Sequence, residues 1–127
     1  MTTAYWCLII VMMITYGLTA IAKFSNKGYD NSKPRKYLDE LDGPAKRAYW
    51  AHLNSLESLP QFGIALLIAH QLEMPQSNID MAAIIFTISR LFYGYFYIKD
   101  RAWSRSWCWV IGMACIVYLI IGKGIHG

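Results

Sequence analysis

Charge is scarce in this chain, and long stretches have none. Only 16% of the 127 residues are charged, and no charge lies in residues 1–22, 58–72 or 106–122. Between Met81 and Ile98 the one charged residue is Arg90. A soluble helical bundle needs a polar face at helical spacing on every helix. The first and last of these stretches offer none, which excludes that class. The three cysteines, Cys7, Cys108 and Cys115, show neither metal-ligand nor redox spacing, so no metal site or disulfide framework is expected. Each falls in an apolar run and reads as a small buried hydrophobe. Internal repeats and low-complexity segments are lacking too.

What is present is apolar sequence: 56% of the residues are hydrophobic, and the mean hydropathy is +0.29. A membrane-crossing helix needs roughly 20 mostly apolar residues. Four segments qualify, at about residues 3–24, 45–72, 78–98 and 104–123. The expected fold is therefore an all-α integral membrane protein, a four-transmembrane-helix bundle forming one domain over residues 1–127. Ala20-Ile21-Ala22 has the small-x-small pattern of a leader-cleavage site, but no positive region precedes the apolar run. The first segment is read as a retained span.

The net charge of +4 is a topology signal. Seven Lys or Arg lie from Lys23 to Arg47, and the loop "IKDRAWSRS" adds Lys99, Arg101 and Arg105. The opposite side has Lys123 alone, with Glu73 and Asp80 in "QLEMPQSNID". This bias places both basic loops in the cytoplasm and both termini outside, and nucleic acid is not an expected partner. Gly28, Asn31, Pro34 and Gly43-Pro44 mark residues 25–44 as a loop. Within it "LDELDGP" can form one short helical turn, and Pro44 suits the first turn of the next helix. Pro60 should kink that helix or open one of its hydrogen bonds. Trp103, Trp107 and Trp109 suit an interfacial belt.

Ionisable groups inside a span are expensive and point to function. In "RAYWAHLNSLESLPQF", Arg47, Trp50, Asn54, Ser58 and Gln61 share one helix face, Glu57 lies at its edge, and His52 points nearly the opposite way. In "RLFYGYFY", Arg90, Tyr93, Gly94 and Tyr97 share a face. Asn54 lies about 13 Å from the cytoplasmic start of its helix and Arg90 about 12 Å from the cytoplasmic end of the next. The expectation is a polar pocket in which Asn54, Glu57 and Arg90 meet, with Glu57 and Arg90 in direct or one-water contact. A structural reading is that Glu57 and Arg90 merely satisfy each other and Asn54 glues helices together. That reading leaves Arg47, Gln61, Tyr93, Tyr97 and Arg105 unexplained on the same side. For His52, packing against another helix or subunit is expected. The pocket's guanidinium, carboxylate, amide and phenol groups suit a small zwitterion with more than one carboxylate. The adjoining apolar faces suit a lipophilic co-substrate arriving from the bilayer.

Three motifs, "RAYWAHLNSLESLPQF", "RLFYGYFY" and "SRS", taken with the loop "YDNSKPRKYLDELDGPAKRA", resemble the MAPEG family, the membrane-associated proteins in eicosanoid and glutathione metabolism, and its bacterial branch in particular. The resemblance implies a homotrimer of four-helix protomers, with glutathione at the subunit interfaces near the cytoplasmic side; the absence of disulfide spacing and of any organelle tag fits a bacterial inner membrane. It assigns glutathione contacts to Asn54, Glu57, Arg90, Tyr93 and Tyr97, with Arg47 as the first arginine of the motif. Arg105 resembles the arginine that stabilises the thiolate, and Ser106 follows it as in the prostaglandin-synthase-like members. His52 matches a histidine found in some members. Trp50 departs from the pattern, standing where the glutathione-using enzymes carry a second arginine.

The expected activity is that of a glutathione-dependent membrane transferase, with peroxidase activity as a variant, acting on lipophilic electrophiles. The alternative is a non-catalytic lipid-binding or scaffold member of the family, which Trp50 favours. A small four-span exporter is a third reading. The arginine at equal depth to the carboxylate counts against it.

Overall fold

The computed structural model describes residues 1–126. They form five helices: α1 (Thr3–Phe24), α2 (Pro34–Asp39), α3 (Gly43–Gln71), α4 (Gln76–Ile98) and α5 (Ala102–His126). No strand occurs among the described residues. Three of the helices, α1, α4 and α5, are long and apolar enough to cross a membrane. The sequence reading counted α3 as a fourth span. It is long enough, with 29 residues, and runs on through Pro60, but its polar side chains keep it out of that class by composition. At 1.5 Å per residue α3 is about 43 Å long, some 13 Å more than a hydrocarbon core of about 30 Å.

The short α2 begins upstream of the turn expected in "LDELDGP". Pro34 sits in its first turn, where a missing N–H costs nothing. Its other end is held from outside: Lys46 Nζ, on α3, donates to Leu38 O at 3.1 Å and Asp39 O at 2.6 Å. A cation on the carbonyls at a helix C-terminus also complements the helix dipole.

The core lies where α1, α3, α4 and α5 meet. Phe62 and Phe86 stack at 4.1 Å between ring centroids, both fully buried, among Val11, Leu66, Ile79 and Leu119. Small residues bring the backbones together, as membrane helices require. A Cβ on Gly112 would come within 3.2 Å of Ser89 Oγ and 3.4 Å of the Phe86 ring. Gly112 thus sets the close approach of α5 to α4.

Two tight turns fix the antiparallel order of α3, α4 and α5. Each ends its helix with one residue in the left-handed region, Glu73 at φ 55° and Asp100 at φ 59°. In each the next two amides fold back: Glu73 N to His70 O and Met74 N to Ala69 O, then Asp100 N to Tyr97 O and Arg101 N to Phe96 O. These are Schellman closures. The helix ends opposite the basic loops are then tied together. Asp80 Oδ1 accepts the Ala4 amide at 3.0 Å and Gln76 Nε2 at 2.8 Å. Lys123 Nζ donates to Glu73 O at 3.3 Å, and Tyr5 stacks on His70 at 4.6 Å.

Candidate functional site

The face of α3 that meets its neighbours is built from Ala48, Ala51, Ser55 and Ser58, all buried. Their small side chains leave room for Arg90 of α4, which is only 2% exposed. Its Nη2 donates to Asn54 Oδ1 at 3.0 Å and to Ser55 Oγ at 2.8 Å. The guanidinium carbon lies 4.1 Å from the Tyr93 ring centroid, and Nε is buried with no hydrogen-bond partner. Both partners are neutral, and among the described residues no acidic group pairs with it. A buried cation is stabilised chiefly by an anionic partner, so Arg90 is a cation under-satisfied within the protomer.

The direct Glu57–Arg90 contact does not form; Glu57 is exposed. The reason is rotational. Two residues apart on a helix means about 200° around it, so a helix that turns Ser55 toward Arg90 turns Glu57 away. Trp50, Glu57 and Gln61 all lie exposed on α3. Ser55 was missed by the sequence reading. The signal was its place in the small-residue series Ala48, Ala51, Ser55, Ser58.

From Arg90 a ladder runs along α4 to α5. Tyr93 and Tyr97 meet edge to face at 5.7 Å. Beyond them Arg105 places its guanidinium carbon 4.3 Å from the Tyr97 ring centroid. Two cations therefore bracket two phenol rings, one buried and one half-buried at the start of α5. The tight α4–α5 turn is what returns Arg105 alongside Tyr97. Arg47 joins the same end, its Nε donating to Ile98 O at 3.0 Å.

That bond completes the accounting for the last four carbonyls of α4. Tyr95 O takes the Lys99 amide, Phe96 O that of Arg101 and Tyr97 O that of Asp100; Ile98 O takes Arg47. His52 is separate from the site. Its Nδ1 lies 2.7 Å from Thr15 O, a carbonyl that can only accept, so Nδ1 carries the proton. Its ring lies against Tyr16 of α1. Lys46 is also occupied elsewhere, on α2, with its ammonium 5.8 Å from the Trp50 ring centroid.

These features define an all-helical integral membrane protein with a cationic, tyrosine-lined polar site at the basic end of its helices. The MAPEG family model matches residues 1–124, and the chain belongs to the MAPEG family. That membership links it to membrane glutathione transferases, peroxidases and related proteins. Searches of curated proteins and of solved structures give no match.

Proposed function

We propose that the protein is a glutathione-dependent membrane transferase, with peroxidase activity as a variant, that attacks lipophilic electrophiles. The observation that carries this is Arg90, a buried guanidinium with neutral partners and an unpartnered Nε. It calls for an anion from outside the protomer. A tripeptide with two carboxylates, one ammonium and one thiol fits the donors present. Arg90 and Arg47 hold carboxylates, Glu57 takes the ammonium, Asn54 bonds the peptide, and Tyr93 and Tyr97 wall the pocket.

Glutathione supplies a thiol nucleophile when bound. A free thiol of this kind titrates near pH 8.5, so only a few per cent is thiolate at neutral pH. Arg105 contributes a fixed positive charge that favours the deprotonated form; a cation within about 4–6 Å lowers such a value by roughly one to three units. The Tyr97 ring holds that guanidinium in place. Apolar helix faces bring the electrophile from the bilayer to the same end.

We read α3 as a fourth span and the assembly as a homotrimer with α3 nearest its axis. Glu57 and Gln61 lie exposed near the middle of a 29-residue helix, where lipid is a poor neighbour for both. A symmetric interface would cover them. The basic loops face the cytoplasm, and a bacterial inner membrane is the proposed location.

A second reading, a non-catalytic lipid-binding or scaffold protein, is favoured by Trp50 in place of the second arginine, with Lys46, a nearby cation that could stand in for it, engaged on α2. Calorimetry of glutathione binding to detergent-purified protein, followed by ultraviolet difference spectra and a conjugation assay, separates the two. The enzyme should bind glutathione, show thiolate absorbance at pH 7 and conjugate a generic electrophile. Arg105→Ala should retain binding and lose the thiolate signal and turnover. Binding without thiolate in the wild type would establish the scaffold reading.

A further inference from the structure

Along the seam between α4 and α5 runs an apolar groove of about 340 Å³, lined by Ile85, Ile88, Phe92, Phe96, Cys108 and Ile111, together with Ser89. The Ser89 hydroxyl is turned back to Phe86 O at 2.6 Å, so it is committed within its own helix. From Ile85 to Phe96 is eleven residues, about 17 Å along α4. That matches one leaflet, half of a hydrocarbon core about 30 Å thick. The groove's inner end opens beside the α4–α5 turn, where Lys99 and Arg101 are exposed with Asp100 between them. Trp103 and Trp107 follow at 82% and 64% exposed, as side chains at a headgroup boundary are.

We infer that this seam is a lipid site: it seats one acyl chain of an anionic phospholipid from the leaflet at the basic end, with the phosphate on Lys99 and Arg101. Charge complementarity fixes both the headgroup and the orientation. The opposite end of the molecule offers Lys123 as its one Lys or Arg, against Glu73 and Asp80, while basic residues flanking a membrane segment attract anionic headgroups. The contrast with α3 identifies lipid rather than protein as the occupant. The exposed face of α3 carries Glu57 and Gln61, which lipid cannot satisfy. The walls of the seam present apolar side chains and one hydroxyl bonded to its own backbone.

The test uses the full chain with palmitoyl-oleoyl phosphatidylglycerol and the matching phosphatidylcholine, read by native mass spectrometry. A diazirine at mid-chain on each lipid maps contacts. Phosphatidylglycerol should be retained in preference, and its adducts should fall on Ile88, Phe92 and Ile111. The double variant Lys99→Gln, Arg101→Gln should weaken retention on the order of tenfold. Ile111→Trp, at a position 46% exposed, should fill the groove and remove the adducts while the helical circular dichroism is unchanged. Equal retention of both lipids, or adducts spread equally over the exposed Ile9, Met12 and Met13 of α1, would overturn the site. So would chain-to-chain bis-maleimide cross-linking through Cys108, which would put a second copy in the seam.

Discussion

The two ends of the molecule use the same helices and leave them in different states. At the end opposite the basic loops, two charged side chains are spent on helix ends: Asp80 on the Ala4 amide, Lys123 on the Glu73 carbonyl. At the basic end Arg47 is likewise tied to a carbonyl, but Arg90 is buried against neutral groups and Arg105 rests on a ring. Among the described residues each end holds one buried side-chain polar atom without a partner, Arg90 Nε at the basic end and His70 Nε2 at the other. They are not equivalent. His70 donates its Nδ1 proton to Leu66 O at 2.7 Å, so in the neutral imidazole its Nε2 is a lone pair. Arg90 Nε belongs to a full charge, which is far more costly to bury unpaired. The end opposite the basic loops is built for cohesion, and the basic end keeps an electrostatic deficit that a ligand can fill.

The sharpest test of that division sets the core against the site. Phe86→Ala should remove the stacked ring beneath both ends and cost about 3–5 kcal/mol of unfolding free energy, read by thermal or denaturant unfolding in detergent. Arg90→Met should do the reverse. Glutathione binding should disappear from calorimetry, while stability changes little or rises by about 1 kcal/mol, because an unpaired buried charge has been removed. A loss as large as that of Phe86→Ala would show Arg90 to be structural and collapse the distinction. Next in size is Asp80→Ala, which removes the acceptor at the start of α1. Its expected cost is about 0.5–2 kcal/mol, as for a lost helix cap, with glutathione affinity unchanged. Lys46→Met should have the smallest effect, about 0.3–1 kcal/mol. Faster amide exchange at Leu38 to Glu40 would be its signature.

The long helices were legible because their apolar runs are long and bounded by charge or turn residues. Residues 3–24 coincide with α1, and the limits of α3, α4 and α5 fall within three residues of those expected. The short α2 escaped because a lysine from another helix holds its end, and nothing local announces that. At the site, matching depths correctly brought Asn54 to Arg90. The choice of Ser55 over Glu57 was legible only in the small-residue series Ala48, Ala51, Ser55, Ser58, not in the polar stripe. A helical wheel gives angles within one helix, whereas the partner is chosen by how far that helix is rotated against its neighbour. The same rotation explains His52, whose place opposite the stripe put it on α1.

The overhang of α3 has a kinetic consequence. With about 13 Å of helix beyond one hydrocarbon thickness, and Arg47 near the end that α3 shares with Arg105 and the basic loops, the site stands at a phase boundary. In the proposed reaction one reactant reaches it from water and the other from lipid. The concentration that governs the second is its mole fraction in the membrane, not its amount per litre. Turnover at fixed enzyme and fixed total electrophile should therefore fall as inert phosphatidylcholine is added, in the manner of surface dilution. The half-saturation for glutathione should not move.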